Sequence, residues 1–151
     1  MTDQTQVIVR PLTAADEAAW RRLWHGYLTF YQTELPEDIY QTSFARMLSG
    51  KPGEYVGLIA EVEGMPVGLA HYLFHRTCWK IEDTCYLQDL YADPEARGLG
   101  VGRALIEAVY AAADAAGVHS VYWMTQTFNT TARQLYDRIG VKTPFIEYNR
   151  P

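Results

Sequence analysis

Apolar positions change period several times along this chain. Val7-Ile-Val-Arg-Pro11 is a short β-rich run closed by proline, and Thr13-Ala-Ala-Asp16-Glu17 supplies a helix start with acids in its first turn. Trp20, Leu23, Trp24, Tyr27, Leu28 and Tyr31 then recur at helical spacing until Leu35-Pro36 breaks the pattern. A second helix is predicted from about Glu37 to Ser49, stopped by Gly50-Lys-Pro-Gly53.

From Tyr55 the period shortens to that of strands. Tyr55 to Val62 and Pro66 to Phe74, joined by the turn Glu63-Gly64, read as a hairpin, and Cys85 to Ala92 reads as a further strand stopped by Asp93-Pro94. Leu105, Val109 and Ala112 mark one face of a helix from Gly102 to Ala116, ended by Gly117. Val118 to Met124 is predicted as a strand, Asn129 to Ile139 as a helix, and Phe145 to Tyr148 as a last short strand. The order is that of a mixed α/β domain without internal repeats.

Composition narrows the classes. In 151 residues, 48% apolar and 13% aromatic, there is material for one sizeable core, so residues 1–151 are expected to form a single domain. The net charge of −5 comes with scattered rather than striped basic residues, which argues against a nucleic-acid partner. No apolar run approaches membrane-spanning length, and the polar start Met1-Thr-Asp-Gln-Thr-Gln6 does not read as a signal peptide. Cys78 and Cys85 have neither metal-ligand spacing nor the density of a disulfide scaffold, so no metal is expected, both read as small packing residues, and a reducing cytoplasm is the expected compartment.

The chemistry concentrates in Arg97-Gly98-Leu99-Gly100-Val101-Gly102-Arg103, between a predicted strand and the first turn of a predicted helix. Backbone N–H groups there have no intrahelical partner, glycines admit phosphate oxygens closely, and Arg97 adds a charge-assisted donor, so the turn suits a pyrophosphate. A dinucleotide fingerprint beginning at Gly98 fails at Arg103, and the Gly-Lys-Ser/Thr of a P-loop is absent.

Leu90-Tyr-Ala-Asp-Pro-Glu-Ala-Arg97-Gly-Leu-Gly100-Val-Gly102-Arg-Ala-Leu105 resembles the cofactor motif of the GNAT superfamily of acetyltransferases, Arg/Gln-x-x-Gly-x-Gly/Ala ahead of a helix. Asn129-Thr-Thr-Ala-Arg-Gln-Leu-Tyr136-Asp-Arg-Ile-Gly140 is similar to the superfamily's second motif, and the order of elements matches over nearly the whole chain. The resemblance implies a central, mostly antiparallel sheet with helices on both faces, splayed between its fourth and fifth strands, and acetyl-CoA as cosubstrate. Leu90, Tyr91 and Ala92 would border the pantetheine arm, Gly98 to Arg103 would surround the pyrophosphate, Asn129 would hydrogen-bond near the pantetheine, and Tyr136 would reach the sulfur. Tyr86-Leu-Gln88-Asp89-Leu is similar to the Leu-Glu-Asp segment of diamine (polyamine) acetyltransferases and of histone-acetylating relatives, but the glutamate assigned as base there falls on Gln88. Gly140-Val141 replaces the usual Gly-Phe, and the last strands are expected to be shortened. The resemblance allows a homodimer, which no feature of the sequence specifies.

The reading is then an N-acetyltransferase acting directly on a primary amine, whether polyamine, lysine-like or peptide. An alkyl ammonium, with a pKa near ~10, must lose a proton before it attacks a thioester. Asp89 is the candidate for orienting the amine or relaying that proton, with His25, His71 and His75 as others; Tyr136 is the candidate proton donor to the departing thiolate. A backbone N–H at Leu90 or Tyr91 suits the developing oxyanion. Trp24, Tyr27, Tyr31 and Glu34, with Gln88 and Trp123, are the candidate amine-binding residues, since aromatic faces and a carboxylate suit an ammonium group. A non-catalytic acetyl-CoA sensor and a scaffold with a purely structural glycine turn are the rivals; Asn129 and Tyr136 weigh against both.

Overall fold

The computed structural model describes residues 6–151; residues 1–5 of the polar N-terminal run lie outside it. Its order is β1 (Val7–Pro11), α1 (Glu17–Phe30), α2 (Glu37–Ser49), β2 (Val56–Val62), β3 (Met65–His75), β4 (Thr84–Ala92), α3 (Val101–Ala115), β5 (Val121–Tyr122) and α4 (Thr130–Ile139). The five strands form one sheet in sequence order, antiparallel from β1 to β4, with β5 parallel to β4.

The two-residue alternation of the strands sorts side chains onto two faces. Leu58, Ala60, Ala70, Tyr72, Cys85 and Leu87 face α3, which supplies Val101, Leu105, Ile106 and Val109. Ile59 and Leu69 face the other way, onto Trp20, Leu23, Trp24 and Leu28 of α1 and Phe44 of α2. Burying such a side chain stabilises the fold by about 1.5–3 kcal/mol each. Gly68 allows α3 to sit close on the sheet: a Cβ there would lie 2.7 Å from Val101 Cγ1.

One irregularity governs the site. His71 pairs with Asp89 but Tyr72 pairs with Leu87, leaving Gln88 as an extra residue in β4. Such a bulge shifts the alternation by one. Leu87 and Leu90 therefore both pack toward α3, while Tyr91 packs toward α1.

The sheet also splays as the resemblance implied. Only Cys85 and Tyr86 of β4 pair with β5, at Val121 and Tyr122, so the stretch from Leu87 to Ala92 is bonded to β3 alone. Two expectations are corrected here. The strand foreseen from Val118 to Met124 contracts to Val121–Tyr122, and Phe145 to Tyr148 forms no strand, with Phe145, Ile146 and Tyr148 left 79%, 76% and 88% exposed. A β-rich run needs a neighbouring strand and a buried face, and this one has neither. Cys85 is a packing residue but Cys78 is exposed.

Candidate functional site

Where β5 diverges from β4 a cleft opens, lined by Tyr27, Tyr31, Leu87, Gln88, Leu90, Trp123, Met124 and Tyr136. Five of the residues expected to touch substrate or thioester, Tyr27, Tyr31, Gln88, Trp123 and Tyr136, thus meet from four parts of the chain. Trp123 is packed edge-on to Tyr136, ring centres 5.6 Å apart, and lies so close over Gly140 that a Cβ there would approach it to 2.9 Å. The Tyr110 hydroxyl donates to the Ile139 carbonyl (2.8 Å), fixing the end of α4. Burial pushes the Tyr136 phenol up to about 12, so it keeps its proton across the neutral range.

Two candidates lie elsewhere. Glu34 is exposed beyond the end of α1. Trp24 is part of the core, stacked on Tyr27 (4.7 Å) and Trp20 (6.2 Å), and its indole N–H has no partner among the described residues. Helical spacing marks a stripe but not where along it the core ends.

Asp89 does not line the cleft itself but lies behind it on the α1 face of the sheet, next to the cleft residues Tyr27 and Tyr31. Its neighbours are His71, with Nδ1 3.0 Å from Oδ2, and the phenols of Tyr27, Tyr31, Tyr55 and Tyr86, each raised by burial first and by the Asp89 charge as well. Among the described residues it makes no ion pair with Arg or Lys. The Tyr55 hydroxyl donates to Gln88 Oε1, tying the bulge residue to the segment before β2. His25 is exposed on α1, and His75 is bonded to the Arg76 carbonyl and the Tyr122 hydroxyl. His71 alone of the three contacts Asp89, and its other ring nitrogen receives the Trp20 N–H (2.9 Å). Sequence reasoning missed this chain of contacts and the roles of Tyr55 and Tyr86. The available signal was a histidine in an apolar, alternating strand together with a tryptophan on the core stripe, whose N–H needs an acceptor once buried.

The glycine turn has the form expected of an anion cradle. Gly98 and Gly100 are left-handed, with φ of 80° and 77°, and a Cβ at either would meet nothing within 4 Å. The first helical bond of α3 runs from Ala104 N to Gly100 O (3.0 Å), so the N–H groups of Val101, Gly102 and Arg103 precede the ladder. Arg97 and Leu99 are exposed, and Arg103 is exposed but paired with Glu107 (2.9 Å). These donors fit a diphosphate. Leu90 and Ala92 lie on the part of β4 unpaired with β5, Tyr91 packs against Gly26 of α1, and Asn129 opens α4 with its amide donating to Thr125 Oγ1 (3.2 Å).

Comparison with known proteins accords with this geometry. The Acetyltransferase (GNAT) family matches residues 18–141. The chain is similar to the D-amino-acid N-acetyltransferase HPA3 of Saccharomyces cerevisiae, 39% identical over 96% of this chain and 91% of that one. It is also similar to the thialysine N-epsilon-acetyltransferase of Bos taurus, 31% identical over 62% of this chain and 59% of that one. Among solved structures, an aminoglycoside N-acetyltransferase in complex with CoA shares the fold, with a TM-score of 0.82 at 17% identity over 100% of this chain and 98% of the other. The match across most of its length, with a relative similar end to end, means that the chain belongs to the GNAT family of acetyltransferases and is an acetyltransferase with acetyl-CoA as cosubstrate.

Proposed function

We propose that this acetyltransferase moves the acetyl group directly from acetyl-CoA to the nitrogen of a small primary amine, with the ammonium held against Asp89. The observation that carries the reading is a nearly buried carboxylate, its side chain 13% exposed, beside an aromatic cleft, with tyrosines and a histidine near it and, among the described residues, no Arg or Lys paired to it. A buried charge is stable when paired, and an ammonium supplies the missing cation while the faces of Tyr27 and Tyr31 suit its organic part.

The remaining roles join this geometry to the resemblance to the family. Arg97 and the N–H groups of Val101 to Arg103 bind the pyrophosphate, with Gly98 and Gly100 allowing the approach. The free edge of Leu90 to Ala92 aligns the pantetheine arm beside β4, and Asn129 lies near its far side. Hydrogen bonds of an antiparallel ladder alternate, so one of Leu90 and Tyr91 directs its N–H away from β3, toward the thioester oxygen. Asp89 orients the ammonium and passes its proton toward solvent. As the nitrogen bonds to the acetyl carbon the carbon–sulfur bond breaks, Tyr136 donates its proton to the leaving thiolate, and the second proton, shed by the nitrogen as the amide forms, returns the phenolate to phenol through water.

Names of relatives guide the choice of amine: a D-amino acid, thialysine or another lysine-like amine. Gln88 distinguishes this site from the polyamine enzymes, since an amide neither pairs with a second ammonium nor accepts its proton. The test is acetyl-CoA-dependent thiol release across D-amino acids, thialysine, lysine analogues, polyamines, amino-terminal peptides and aminoglycosides. Turnover of a lysine-like or amino-acid amine is expected, and no release above the amine-free rate with any of them would overturn the reading.

A further inference from the structure

We infer that His71 is a positioning residue, locked by Trp20 as the neutral Nδ1–H tautomer so that it donates to Asp89, holds that carboxylate in its charged form and takes no part in carrying the proton away. The inference rests on the role proposed for Asp89, but the state of the ring is measurable without turnover.

The argument is one of donors and acceptors. An indole N–H only donates, so the 2.9 Å contact from Trp20 Nε1 requires an unprotonated Nε2 on His71. A neutral ring then carries its hydrogen on Nδ1, where the 3.0 Å contact to Asp89 Oδ2 needs a donor facing a carboxylate. Each bond thus fixes the other. Protonating His71 would set two N–H groups against each other and would strand the Trp20 donor in a place where the ring is 0% exposed.

Position supports this. His71 is 4% exposed, and the Trp20 and Trp24 rings lie 6.0 and 5.1 Å from its own. Trp20 continues into the core, against Phe44 and Tyr40, so a proton delivered to His71 has no onward partner. The bulge at Gln88 is what brings Asp89 opposite His71 in the ladder. The groups that face Asp89 are His71 from β3, Tyr27 and Tyr31 from α1, Tyr86 from β4 and Tyr55 ahead of β2.

The test is NMR of the histidine ring nitrogens in the intact protein at neutral pH, which distinguishes the two neutral tautomers and the doubly protonated ring. His71 is expected to carry its hydrogen on Nδ1 with an unprotonated, hydrogen-bonded Nε2, and the Nε2 resonance is expected to shift in Trp20→Phe, where that nitrogen loses its donor. A ring protonated on Nε2, alone or together with Nδ1, would overturn the inference. Kinetically, His71→Phe is expected to lower kcat/KM about 10–100-fold, as for a lost hydrogen bond to a charged group, and to move the acid limb of its pH profile to higher pH. His71→Asn, whose amide nitrogen takes the place of Nδ1, is expected to recover most of that loss. An unchanged acid limb in a folded His71→Phe protein would also refute it. If Asp89→Asn leaves turnover intact, the catalytic reading of Asp89 fails while the ring measurement still stands.

Discussion

Asp16 and Asp89 lie nearly equally deep, with side chains 9% and 13% exposed, yet their surroundings differ in kind. Asp16 receives both Nη atoms of Arg10, each at 2.7 Å, and the N–H and hydroxyl of Thr13 at 2.7 and 3.0 Å. The Arg10 guanidinium holds its carboxyl well below the usual carboxylate range. Asp89 has a neutral histidine and four phenols. A charge whose cation comes from the same chain serves the fold, tying β1 to the turn before α1. A charge at similar depth with no Arg or Lys paired to it among the described residues is, on the reading proposed, completed by the ammonium of the substrate.

Substitutions can break or sharpen that contrast. The largest expected effect is that of Asp89→Asn, about 10²–10³-fold in kcat/KM with melting temperature little changed, measured by steady-state kinetics and calorimetry. Tyr136→Phe follows, lowering kcat about 10²-fold with little change in acetyl-CoA binding. Because Tyr136 holds its proton to about pH 12, this residue should impose no alkaline limb on wild-type activity below roughly pH 10.

Asp16→Asn should give the opposite pattern: about 2 kcal/mol lost from stability, a fall in melting temperature of roughly 4–8 °C, and normal turnover by the folded fraction. That figure is held down because Arg10 is one-third exposed, 33% by its side chain. Its pH dependence has a definite sign. The folded state lowers the Asp16 pKa, so the contribution is complete above the unfolded value near ~4 and disappears as the pH falls through the acid range. Asp16→Asn should therefore flatten the acid side of the stability profile, as read by denaturant unfolding below about pH 5. The smallest effect belongs to the matching pair of cations. Arg10 is committed to the fold, whereas Arg97→Glu should raise the KM for acetyl-CoA about 10-fold and leave stability unchanged.

Much of this was legible in the order of residues. The glycine turn, four helices and four of the strands follow from spacing and from residues with special backbone needs, and both motif segments from their resemblance to the family. Legibility failed where the answer depends on which strand lies alongside. Nothing local to Gln88 announces a bulge, yet that extra residue decides that Asp89 faces His71. Trp24 and Tyr27 share one stripe, and only packing shows that the first completes the core and the second reaches the cleft. The run from Phe145 to Tyr148 has the composition of a strand and no partner to make it one.

The most direct test of Asp89 as the seat of the ammonium is calorimetric binding of an accepted amine to the complex with CoA, in which no transfer occurs, comparing the wild type with Asp89→Asn. The account expects amine affinity to fall about 10–100-fold in the variant while CoA affinity is unchanged. Equal amine affinities for the two proteins would contradict it.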